Sequence, residues 1–267
     1  MAATVKTRNV APSKSYPAAR NVPASIIGGG QSIYEESATQ QFPLGYKVKV
    51  GPDRTFVYAS AGEALYAGHM CAQALVCGAT TTLQNTNGVA VAAAVGDTRI
   101  YIVAGTTAQA AGVFDDGYID IHDDTTTGAN FLYKIKHSSA LATSGTSSYV
   151  DLYDPIHIAL TTSDQVALTA NLYKSVILSD ATQASMALGI APINVTSTYY
   201  FWLQTWGPAP CYPPETALVN TEPVTMSDNA DGGVGPVSSH TNLPHVGHTI
   251  HVGTLDEGAI IFLRLDP

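Results

Sequence analysis

Tyr46-Lys47-Val48-Lys49-Val50 alternates polar and apolar side chains, Gly51-Pro52-Asp53-Arg54 supplies turn chemistry, and Thr55-Phe56-Val57-Tyr58-Ala59 alternates again. A period of two on both sides of such a turn predicts an antiparallel hairpin. The pattern returns near the carboxy terminus, where residues 248–255 and 259–265 flank Asp256-Glu257-Gly258. Between these hairpins, β-branched or aromatic runs predict strands over 98–103, 117–121, 130–136, 149–152, 157–160, 165–169, 175–178 and 199–205. Asn87-Gly88, a dipeptide that accepts positive φ, predicts a further tight hairpin joining 80–84 to 89–95. Only residues 63–67 and 180–188 read as short helices, so there is no alternation of strand and helix and the parallel α/β classes are disfavoured. The reading is all-β: an antiparallel β-sandwich or distorted barrel with an extended N-terminal arm.

Composition fits a globule with an unusual surface. The 267 residues are 45% hydrophobic and only 12% charged, about half the charge of an ordinary soluble domain. Disorder driven by charge is thereby excluded for most of the chain. No run reaches the ~18 apolar residues a spanning helix needs, so no membrane role is expected. The amino terminus lacks the apolar core and cleavage site of a secretory signal, and the chain is expected to mature where it is made. Cys71, Cys77 and Cys211 form neither a C-x-x-C pair nor an even set, which favours buried free thiols.

Charge divides the chain. Residues 1–34 hold Lys6, Arg8, Lys14 and Arg20 and no acid, whereas the rest holds eight basic and 21 acidic residues. The net charge of −9 is therefore +4 followed by −13. An acidic body repels nucleic acid. No Lys or Arg occurs between Ser175 and Leu263, while seven acids do, which argues against phosphate binding there. Residues 1–40, broken by Pro12, Pro17, Pro23 and Gly28-Gly29-Gly30, read as an arm that is extended or ordered by a partner, and 41–267 as the β-rich body, with room for two β subdomains. The glycine triplet lacks a following Lys-Ser or Lys-Thr and reads as a hinge.

There is no G-x-S-x-G, H-E-x-x-H, G-x-G-x-x-G or Walker pattern, so no enzyme activity is expected. Residues 115–124 gather five carboxylates, with Tyr118, Asp120 and His122 on one strand face and Ile119 and Ile121 on the other. That segment reads as a Ca²⁺ site, as paired glycosidase carboxylates or as an exposed strand between acidic turns, the last favoured because the spacing fits no calcium loop. His240, His245, His248 and His251 read as metal ligands or as polar residues near a subunit contact, with strand alternation pairing His245 with His251. Metal and cofactor are not assigned. Asp228-Asn229-Ala230-Asp231-Gly232-Gly233 lacks a closing Glu and reads as a turn. Tyr199, Tyr200, Phe201, Trp202 and Trp206 form the densest aromatic group. One of its faces is expected in the core and the other, with Tyr200, Trp202 and Trp206, at an oligomer interface or sugar platform.

Phe42-Pro43-Leu44-Gly45, the run from Phe56 to Gly68, Tyr133-Lys134-Ile135-Lys136-His137, Asp154-Pro155-Ile156 and the run from Tyr200 to Ala209 resemble a group of tailed-bacteriophage virion proteins common in aquatic phages. The resemblance covers about residues 42–210 and the terminal strand; the arm and residues 211–252 depart from it. It implies a structural component of the head, a capsid decoration or cement protein that binds the outer surface and bridges neighbouring major capsid proteins. It further implies a homo-oligomer, often a trimer, carried on the capsid exterior of the virion and assembled in the host cytoplasm. The basic residues Lys6, Arg8, Lys14 and Arg20 are then expected to meet acidic shell surface. The alternative is a head fibre or glycan-binding adhesin module.

Overall fold

The computed structural model describes residues 30–74, 87–103, 108–122, 130–143, 148–180, 185–214, 218–239, 243–251 and 258–266. These residues form sixteen strands and no helix: β1 (Lys47–Val50), β2 (Arg54–Ser60), β3 (Met70–Ala72), β4 (Asn87–Val89), β5 (Arg99–Val103), β6 (Tyr118–His122), β7 (Asn130–Ser138), β8 (Tyr149–Leu152), β9 (Gln165–Thr169), β10 (Ile177–Leu178), β11 (Ala187–Ile190), β12 (Tyr200–Cys211), β13 (Pro223–Met226), β14 (Val234–Pro236), β15 (Gly247–His251) and β16 (Ala259–Arg264). Every ladder between them is antiparallel. The all-β reading holds.

Two structural units share the chain. Strands β4 to β9 close on themselves in the order β4-β5-β8-β7-β6-β9, a six-stranded barrel filled by Ile100, Ile102, Phe114, Ile119, Ile121, Ile135 and their neighbours. The other ten strands form one sheet, ordered β10-β3-β11-β12-β16-β15-β13-β14, with β2 paired to β12 and β1 to β2. The chain leaves this sheet after β3 and returns at β10, and those strands pair with each other through Ala72↔Ile177 and Cys71↔Leu178. The barrel is thus an insertion at a single point of the sheet. Polar ties seat it there: Asn171 Nδ2 donates to Leu44 O at 3.1 Å and Asp116 O at 2.8 Å, and Lys174 Nζ donates to Gly112 O and Val113 O.

Strand β12 organises the sheet. It pairs with β2 over Tyr200–Trp206 and with β16 over Trp206–Cys211. At the change of partner the register with β2 slips by one residue, and Gly207 adopts φ +92° with Asp53 O only 2.0 Å from where a Cβ would stand. Only glycine fits that bend. The Gln204 side chain donates to the carbonyls of Trp206 and Pro208 at 3.1 and 2.8 Å, satisfying acceptors that the bend turns inward.

Several local expectations are corrected. Asn87-Gly88 lies inside β4, paired with β5 and β9 rather than turning the chain. Past Val89, which ends β4, residues 90–95 and 157–160 contribute one bridge, Ala93↔Leu160, instead of strands. Residues 63–67 bridge to Val195 through Leu65, and residues 187–188 belong to β11, so neither expected helix forms in the described part. The arm boundary also moves. Residues 30–40 are bound into the body: Ile33 is fully buried, and Ser37 and Tyr200 exchange backbone hydrogen bonds of 2.9 and 2.8 Å.

Candidate functional site

The aromatic group read from the sequence divides between the two halves of β12. In the first half Trp202 is 0% exposed, packed edge-on against Tyr58 at 5.0 Å and tilted on Phe42 at 5.2 Å. Its Nε1 donates to Gln31 O at 3.1 Å. Gln31 is the pin of this cover, accepting from Tyr58 OH and donating to Glu35 O and Tyr200 O, each at 2.8 Å. Burial pushes the Tyr58 hydroxyl above its ordinary pKa, with Tyr200 adding to the rise against the Gln41 backbone bond. Tyr200 is half-buried and stacked on Tyr58 at 6.1 Å. Trp202 is therefore corrected from interface candidate to core residue: residues 30–46 fold over the face that alternation alone leaves open.

The second half of β12 is covered on one side only. Ala209 and Cys211 point into a core with Val224, Val246, Ile261 and Leu263, where desolvation pushes the Cys211 thiol up to about 12. The opposite face presents Trp206, Pro208 and Pro210, paired across the ladder with Arg264, Phe262 and Ile260. Trp206 meets Phe262 edge-on at 5.7 Å, and the Arg264 guanidinium lies 5.6 Å from the same ring. Ile260 remains 41% exposed, and Ile250 on the adjoining β15 48%. Trp206, Pro208, Phe262 and His248 on this strip are half-buried, and none of them is enclosed as Trp202 is.

The histidines fall differently from simple alternation. Register shifts in β15 between Thr249 and His251, leaving Ile250 as a bulge. His248 opposes Phe262 and His251 opposes Ile260, so these two share the outward face. His245 is exposed before the strand begins, and His240 lies outside the described residues. The expected pairing of His245 with His251 is thereby replaced by His248 with His251.

The acidic segment serves turns. Asp115 accepts from Ser138 N at 2.7 Å and faces His137 at 3.3 Å. Asp116, at φ +60°, accepts Tyr153 OH at 2.9 Å and, through its carbonyl, Lys134 Nζ at 2.8 Å. Asp120 sits 3.0 Å from His122 on the outer barrel wall, and Ile119 and Ile121 are buried as alternation predicts. Asp123 and Asp124 lie outside the described residues. On the barrel's next strands Arg99 grips Asp151 through two nitrogens, which holds that carboxyl below its ordinary range. Among the described residues no group of three or more His, Cys, Asp or Glu is placed to hold a metal ion.

The arm candidates Lys6, Arg8, Lys14 and Arg20 lie outside the described residues. Sequence reading missed the outward strip of β16 because Ile260, Ile261, Phe262 and Leu263 are apolar on both faces; the available signal was Pro208 and Pro210, which belong where a strand lacks a neighbour for its N–H. No protein-family model, curated protein or solved structure matches the chain.

Proposed function

We propose that this protein is a capsid decoration protein of a tailed bacteriophage, binding the outer head surface as a homo-oligomer and bridging neighbouring major capsid proteins. The observation that carries the reading is the segregation of charge: four basic and no acidic residues in the first 34, then 21 acids against eight basic residues. A cement protein needs this division, because the acidic body stays off the genome while the basic leading segment seeks an acidic shell. The sequence resemblance to aquatic-phage virion proteins supports the same conclusion.

Packing of Gln31 and Ile33 fixes where the test should cut. A chain lacking residues 1–29 retains the cover over Trp202, whereas a cut at 34 removes it. Full-length protein should co-sediment with capsids built from the major capsid protein, and the truncated chain should stay folded in the supernatant. Equal occupancy of the shell by both would overturn the reading.

One observation favours the adhesin reading. Tyr118 and Tyr153 are exposed on the barrel wall, the first beneath Lys134 Nζ at 4.5 Å and the second tied to Asp116. Fixed tyrosine rings beside carboxylates suit saccharide rings. Selective binding on a glycan array, lost in Tyr153→Ala, would favour that function.

A further inference from the structure

We propose that the outward face of β12, β16 and β15 is where two copies of this chain meet, with Trp206 as the central anchor. The proposal deepens the decoration reading by naming the body's own partner. Trp206, Pro208, Pro210, Ile260 and Phe262 share this face, and Ile250 bulges beside them. Aromatic residues are enriched in interfaces, and anchors held rigid before contact lose little freedom on binding. Trp206 is already held edge-on by Phe262, and the two prolines have neither side-chain freedom nor an N–H to leave unpaired.

Charge selects the occupant. Strands β12, β15 and β16 contain one formally charged residue, Arg264, and no carboxylate. The chain after residue 34 carries −13, so like copies repel when their acidic surfaces approach, while this strip brings no acid against acid. The chain's own basic leading segment is a poorer occupant: the strip offers its Lys and Arg side chains no carboxylate and sets Arg264 against them. A second copy offers the same uncharged apolar surface, and a shared patch packing on itself is the ordinary way homo-oligomers close.

The test needs no capsid. Sedimentation velocity of the full chain over about 1 to 100 µM should show concentration-dependent self-association, weakened at least about tenfold by Trp206→Ala and by Ile260→Glu. Leu132→Glu, an exposed apolar position on the barrel, should leave the mass unchanged. Circular dichroism checks folding. In the unmutated chain acrylamide quenching gives a second readout, because Trp202 is shielded and Trp206 should become more quenchable on dilution. A monomer throughout the range, or an oligomer that both variants leave intact, overturns the proposal. Loss of shell binding in Trp206→Ala with its oligomer unchanged assigns the face to the capsid and likewise overturns it. Self-association as expected, with no affinity for capsids, leaves the pairing standing and removes the decoration reading.

Discussion

The two halves of β12 each carry a tryptophan, four residues apart, yet one is fully buried and the other half-buried. Trp202 lies under Phe42, Tyr46 and Tyr58, and its indole nitrogen is met by a carbonyl 171 positions earlier in the chain. Trp206 is half-buried and meets one described aromatic ring, that of Phe262. The difference arises from the change of ladder partner at Gly207, beyond which the segment that covers the first half no longer follows. Burial of an aromatic on a strand is decided by which remote segment arrives to cover it, not by alternation along the strand.

The comparison breaks most readily at its extremes. Trp202→Ala should cost about 3–5 kcal/mol in denaturant unfolding, as buried aromatic truncations do. Trp206→Ala, measured where the chain is monomeric, should stay within about 1 kcal/mol. Equal losses would mean that the two environments do not differ. Gly207→Ala comes next. Its Cβ would collide with Asp53 O and its φ is unsuited to alanine, so a loss above about 2 kcal/mol is expected in denaturant unfolding.

Gln31→Ala sharpens the cover itself. The substitution leaves the Tyr58 hydroxyl proton without its acceptor, though Gln41 N still donates to that oxygen, and removes one of the ties to Tyr200 while the Ser37 backbone pair remains, at about 1–3 kcal/mol. Trp202 should then become quenchable by acrylamide at concentrations well below the unfolding midpoint; unchanged quenching would show that residues 30–46 are held without Gln31.

The smallest effect concerns the inner faces, which should be equally dry in both halves. Desolvation pushes the thiols of Cys71 and Cys211 up to about 12. A raised pKa in the folded state makes the neutral thiol part of the native structure. The associated stability is complete below the unfolded thiol's pKa of about 8.5 and declines as pH rises from there toward 12. Burial raises the Tyr173 hydroxyl to about 12 in the same direction. In the native state at pH 8 neither Cys71 nor Cys211 should react with a disulfide reagent, and rapid labelling of both would refute the dry inner face.

What could be read in advance was what short range decides. The hairpin of β1 and β2 was legible because period-two alternation and a Gly-Pro-Asp turn agree within fourteen residues. Ile119 and Ile121 were correctly placed inward for the same reason. Long-range pairing was illegible. Asn87-Gly88 has turn chemistry, but the ladder that closes the barrel through β9 claims it. Glu63-Ala64-Leu65-Tyr66-Ala67 consists of helix formers, yet it lies between Gly62 and Gly68, and Leu65 exchanges backbone bonds of 2.9 Å with Val195. On the outward strip, Trp206 and His251 had been singled out from residue type. Ile260 and Phe262 were not, because β16 is apolar on both faces, and Trp202 was misassigned because its cover comes from residues 30–46.

The junction at β3 and β10 has a consequence of another kind. Ala72 and Ile177 face each other across a ladder, a separation of about 5 Å between their Cα atoms. Residues 171–176 stay with the sheet, through Asn171 to Leu44 O and through Tyr173 and Val176 to Ser60 and Gly62, so the sheet asks of whatever is spliced ahead of them that its two ends be neighbours. Foreign cargo with adjacent termini meets that demand as well as the barrel does, so the locus is a natural grafting point, at which one scaffold can exchange what it displays while its own strands keep their places.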